Sequence, residues 1–221
     1  GEPVYIGTSN ANLYAFAAAT GAFRYAYPTG AGITSTLAAA GNSGFFGSSD
    51  AKIHGIRLAD GQTLGGFPFT TGSAVFGSPA VASNMVFDLS NDSKLYATYL
   101  QGGAAWTTLL DATYYSSPMV ANGVVFAQTG LRLYALAASY GGILWSTGIL
   151  QGYYGSPVVA NGIVYAGDSS GTLYAFSVNG LPPFAHLPGG ALGVKPAMSA
   201  LKPNLALKPG QPKLAPALDD E

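Results

Sequence analysis

A short motif returns along this chain at nearly constant spacing, and that period constrains the fold more than any other feature. It reads LYAF at 13–16, IHGI at 53–56, LYAT at 95–98, LYAL at 133–136 and LYAF at 173–176, in steps of 40, 42, 38 and 40 residues. An aromatic residue stands eight positions before each copy, seven in the fourth: Tyr5, Phe45, Phe87, Phe126 and Tyr165. Eight positions before four of these come Leu37, Pro79, Pro118 and Pro157. Another large side chain follows most copies: Tyr25, Trp106, Trp145 and Phe184, with Gly65 and the nearby Phe67 in the second.

Each copy therefore divides into four short apolar runs separated by turn signals. The fourth reads SSPMVANG, VVFAQTG, LRLYALAASYGG and ILWSTG. Asn122-Gly123 and Asn161-Gly162 are two-residue hairpin signals, because both residues tolerate positive φ. Runs of four to six residues rich in Val, Tyr, Phe and Ile fit strands and are too short for helices. Strands apolar on both sides need cover on both sides. Four-stranded blades stacked radially supply it, so the expected fold is an all-β propeller of about five blades. Ser78-Pro79, Ser117-Pro118 and Ser156-Pro157 then open innermost strands, and Trp106 and Trp145 hold equivalent structural positions on successive blades.

With the repeat laid out, the segment SPVVANGIVYAGDSSGTLYAFS (156–177) resembles the repeat of pyrroloquinoline-quinone-type propellers. That superfamily holds quinoprotein dehydrogenases and the outer-membrane assembly lipoprotein of Gram-negative bacteria. The resemblance spans roughly residues 3–190. WD-type repeats are similar in length, but the chain has no Gly-His or Trp-Asp pair where they place one.

Strand bookkeeping suggests how the ring closes. The chain opens at PVYIG, already a second strand, so the first blade lacks its inner one. Trp106 precedes Pro118 by twelve residues, Trp145 precedes Pro157 by twelve, and twelve beyond Phe184 is Pro196. Residues 1–190 are thus read as the propeller body, 191–200 as a closing strand that pairs with the N-terminal blade, and 201–221 as a Pro- and Lys-rich extended arm. In the arm Leu201, Leu205, Leu207 and Leu214 are apolar anchors between prolines, suited to gripping a neighbouring surface, and the strand around Pro196 could be exchanged between molecules.

Composition narrows the chemistry. Only 9% of residues are charged, against roughly 25% in ordinary domains, and the net charge is −1. Nothing here draws the chain to nucleic acid. No apolar run approaches the roughly 18 residues of a membrane helix. With no cysteine there is no disulfide, thiolate nucleophile or Cys-based metal site. Asp50, Asp92 and Asp168 lie in hairpins between second and third strands on different blades, where Asp and Ser serve turns rather than one metal ion. His54 replaces a motif tyrosine and is expected to pack between blades with a single hydrogen-bond partner. His186 sits in PPFAHLP without a nearby carboxylate. There is no G-x-S-x-G elbow, P-loop or dinucleotide fingerprint. The calcium, acidic, basic and disulfide constellation of the quinoproteins cannot be carried over. No catalytic residue, metal or cofactor is assigned.

One cluster stands out. The residues four and three before each inner-strand proline are Val75/Phe76, Tyr114/Tyr115 and Tyr153/Tyr154, whereas the first full copy has Ile33/Thr34. These loops gather at one mouth of the central channel, giving three adjacent blades an aromatic patch. Phe76, Tyr115 and Tyr154 are the members expected to plug gaps between blades. The sequence thus points to a non-catalytic propeller, extracytoplasmic, binding a protein partner or itself. A small-molecule propeller taking a glycan or a quinone at the aromatic mouth is the alternative.

Overall fold

The computed structural model describes residues 3–112, 115–147, 155–169 and 173–177. Every element in them is a β-strand, and all pairings are antiparallel between sequence neighbours. The first sheet holds β1 (Pro3–Gly7), β2 (Asn12–Ala17) and β3 (Phe23–Pro28). The second holds β4 (Ala38–Ala40), β5 (Ser43–Ser48), β6 (Lys52–Arg57) and β7 (Phe69–Thr70). In the third are β8 (Ala80–Ala82), β9 (Met85–Ser90), β10 (Lys94–Tyr99) and β11 (Ala104–Leu109). The fourth comprises β12 (Met119–Ala121), β13 (Val124–Gln128), β14 (Leu133–Ala137) and β15 (Ile143–Ser146). The fifth contains β16 (Val158–Ala160), β17 (Ile163–Gly167) and β18 (Leu173–Ser177). This is the all-β propeller that the repeat predicts, with the short strands β4, β8, β12 and β16 lying beside one another in succession as the innermost row. The expected closing strand 191–200 and the arm 201–221 lie outside the described residues.

Local chemistry sets these bounds. The hairpins between first and second strands place Asn122 and Asn161 at φ 50° and the glycines after them at 76° and 72°, the left-handed pair that a tight hairpin requires. Each Ser-Pro directly precedes an inner strand. Pro lacks an N–H and forces the residue before it into an extended conformation, so it suits the start of a strand at a sheet edge.

The motif runs along the third strand, and its alternation decides the core. Side chains on a strand alternate between faces. Leu and Ala of the motif therefore turn toward the following sheet, and Tyr and Phe toward the preceding one. The first interface joins Leu13 and Tyr27 to Phe46 and Ile56, and the second joins Phe45 and Ile53 to Val86 and Tyr96. The third places Phe87, Leu89 and Leu95 against Ala127, Tyr134 and Leu136. The fourth packs Phe126, Leu133 and Ala135 on Val164 and Ala166, with Tyr174 and Phe176 beside them. Among the described residues the core is thus four repeats of one sheet-on-sheet contact.

Outer-strand aromatics bridge these interfaces. Trp106 and Trp145 hold equivalent, half-buried places, as expected. The Trp106 indole donates to Ala138 O at 2.8 Å, and the Tyr25 hydroxyl donates to the corresponding Leu58 O at 2.9 Å. Trp145 meets Phe176 edge-on at 5.2 Å. In the second sheet Phe67 does this work from outside a strand, its ring filling the space over Gly55, where a Cβ would come within 2.7 Å of it.

Gly141 has φ +75° and lies under the Trp106 ring, where a Cβ would come within 2.4 Å of ring carbon. Gly21 has φ +68° with open space around it. Gly21→Ala should cost only the left-handed penalty of about 1–2 kcal/mol. Gly141→Ala should cost about 1–3 kcal/mol more, because the indole must shift. Urea unfolding of the two variants checks this; equal losses would show that Trp106 is not packed on the hairpin.

Candidate interaction site

The expected mouth corresponds to the loops that lead from each outer strand to the next inner strand. A belt of hydroxyls fixes them. Thr36 donates its N–H and its hydroxyl to Ser78 Oγ at 2.8 and 2.9 Å. Ser78 N–H donates to Ser117 Oγ at 2.8 Å, and Ser117 N–H to Ser156 Oγ at 2.9 Å. The serine before each proline thus accepts a hydrogen bond from the preceding blade, satisfying a backbone donor that no strand ladder reaches.

The aromatic residues sit on this belt. Phe76 and Tyr115 stack with centroids 4.7 Å apart and planes at 27°. Tyr115 is 51% exposed and Phe76 half-buried. Thr34 extends the row, its hydroxyl donating to Phe76 O at 3.1 Å. Between the second and third sheets the gap is filled by Val75 rather than Phe76, and Tyr115 stands exposed, which corrects the expectation that these two plug gaps. Val75 is fully buried, with its side chain over Gly47, where a Cβ would come within 2.4 Å of it. Ile33 does the same over Gly7 at 2.5 Å. Only a glycine at the end of the second strand leaves room for that inserted side chain. Val75 is therefore core, and the accessible patch in view is Phe76 with Tyr115. Tyr114, Tyr153 and Tyr154 lie outside the described residues, as do Pro196, Leu201, Leu205, Leu207 and Leu214 of the arm.

The hairpin acids have a role that sequence reasoning missed. Each reaches the motif tyrosine, or its replacement, a few residues on. Asn10 donates to Tyr14 Oη at 3.2 Å, Tyr96 donates to Asp92 at 2.6 Å, and Tyr174 donates to Asp168 at 2.8 Å. His54 Nε2 donates to Asp50 at 3.1 Å. The spacing of four residues in three of the copies was the available signal. His54 also has a second partner, Tyr27, whose hydroxyl donates to Nδ1 at 3.2 Å, rather than the single one expected. Phe46 stacks on the imidazole at 5.1 Å. Burial opposes the charged Asp50 carboxylate, yet the Gly30 N–H and His54 hold its pKa below the usual range. Burial outweighs Asp50 at His54 and lowers its pKa, which keeps the ring neutral at pH 7. These groups clamp loops between blades; among the described residues no three His, Asp or Glu side chains converge as a metal site would require.

Asp88 differs from its repeat equivalents Phe46 and Ala127. It faces the preceding sheet, fully buried, and accepts only the Leu89 N–H at 3.0 Å. Its Oδ2 and the nearby Thr98 Oγ1 have no hydrogen-bond partner among the described residues. Burial pushes its pKa well above the ordinary carboxylate range, and the Leu89 N–H does not offset that. Above about pH 4 the unfolded carboxyl ionises while the folded one stays protonated, so Asp88 lowers stability as pH rises. Asp88→Asn should remove that decline and gain about 1–3 kcal/mol at pH 7 in urea unfolding. Identical pH slopes for variant and parent would place the carboxyl in water instead.

Comparison with known proteins agrees with this geometry. Residues 101–181 match the family described as outer membrane protein assembly factor BamB. No curated protein sequence matches the chain. The fold is shared with BamB from Moraxella catarrhalis at TM-score 0.69 and 17% identity, over 80% of this chain and 56% of that one. The computationally designed Ika8 protein gives TM-score 0.72 at 17% identity with the same coverage. The designed Ika4 protein gives 0.61 at 17% identity, over 68% of this chain and 94% of that one. Repeat and fold together define a β-propeller of PQQ-like repeats. The chain spans little more than half the length of BamB and of Ika8.

Proposed function

We propose that this chain is a non-catalytic protein-binding propeller working outside the cytoplasm, in the manner of an assembly factor, with its partner held at the mouth by Phe76 and Tyr115. The exposed aromatic stack is the observation that carries the reading. The serine belt satisfies the backbone around it, so the stack offers apolar area with a polar tip, the composition of interface hot spots. The acids and the histidine nearby are engaged in clamping loops, which supports a binding role over a catalytic one. The match of residues 101–181 to an outer-membrane assembly factor supports both the class of partner and the place. No helix among the described residues is long and apolar enough to cross a membrane.

A photo-crosslinking side chain at position 115 should give one discrete protein adduct in cell-envelope extract, and one at the exposed Tyr140 should give none. Tyr115→Ala should weaken capture by about tenfold or more with unchanged thermal stability, as for a hot-spot aromatic. An adduct that survives Phe76→Ala and Tyr115→Ala would move the site elsewhere. A glycan or quinone that quenches tyrosine fluorescence and protects position 115 from crosslinking would favour the small-molecule reading, for which a flat aromatic pair is equally suited.

A further inference from the structure

The same residue positions are buried in the middle of the chain and open at its ends. Val86, Val125 and Val164 are buried on the preceding sheet, but their equivalent in the first sheet, Val4, is 46% exposed. Ala127 and Ala166 are buried, while their equivalent Ile6 is 48% exposed. Phe23, at 60%, continues this face, packed edge-on with Tyr14 and Phe16. At the other end, Leu13, Ile53, Leu95 and Leu133 are each buried against the following sheet, whereas the matching Leu173 is 53% exposed and Val158 lies open beside it. Among the described residues the first sheet thus shows an open rear face and the fifth an open front face, both apolar and without charge at these positions.

We propose that these two faces dock on each other between copies of this chain, head to tail, with Leu173 and Tyr165 of one copy covering Ile6, Val4 and Phe16 of the next. This deepens the protein-binding reading by naming a second copy as one partner. Continuity with an existing interface selects that occupant. The contact already exists four times among the described residues, and the open faces carry its two halves: a Leu and an aromatic in front, and Val, Tyr and Phe behind. A second copy continues an established interface rather than creating a new one. Because the halves differ, the contact is heterologous and propagates to a ring or a short stack.

Light scattering of the purified full chain tests this. The parent should have the mass of two copies or more, falling toward one on dilution. Ile6→Asp and Leu173→Asp each place a charge on an already exposed position, so each should keep the parent's far-UV circular dichroism. Each alone should be monomeric, with association weakened by about a hundredfold. Mixed, they should form a capped pair, since one retains the front face and the other the rear. A monomeric parent overturns the proposal, as does an oligomer that both substitutions leave intact. Tyr115→Ala should not change the mass, so loss of partner capture and loss of self-association are separate results.

Discussion

Everything in this fold depends on a strand that must be buried on both sides. The motif Leu-Tyr-Ala-Phe puts an aliphatic residue and an alanine on one face and two aromatics on the other. No single sheet can cover both. Each sheet is therefore stable only between two others, and the hydrophobic term that drives folding resides almost entirely between blades. Clamps follow the same logic: Trp106 reaches Ala138 O, Gln128 reaches Gly167 O at 2.6 Å, and Tyr27 reaches His54. All three cross from one blade to the next.

This explains which parts of the molecule the sequence disclosed. The period, the Asn-Gly hairpins and the Ser-Pro starts are local signals, each tied to a backbone requirement, and they appear in the structure where they were read. The places of Val75 and Phe76 were not legible, because the loop that holds them has no alternation to say which neighbour points inward. The answer lay in Gly47, 28 residues away from Val75, whose missing side chain makes the pocket for it. The serine belt was hidden for a related reason: a serine before proline is explained locally as a strand start, and its hydroxyl partner sits about forty residues off.

The hairpin acids show the same pattern. Read one blade at a time, Asp50, Asp92 and Asp168 are turn residues. Placed in the propeller they also lock the motif tyrosine or histidine, which in turn touches the adjoining blade. These hairpin acids are thus engaged within the body and are not offered at the rim. In a chain only 9% of whose residues are charged, the proposed binding role rests on aromatic area, which Phe76 and Tyr115 present together.

The central claim is that cohesion lies between blades, so that the interior third strands are the most protected and, under the proposed docking of copies, the end strands gain protection from a neighbour. Native-state hydrogen exchange measured at low and at high protein concentration tests this directly. Amides of β6, β10 and β14 should exchange only through global unfolding at both concentrations. Those of β2 and β18 should exchange faster at low concentration and slow as concentration rises. Equal protection across all five third strands, independent of concentration, would contradict the account.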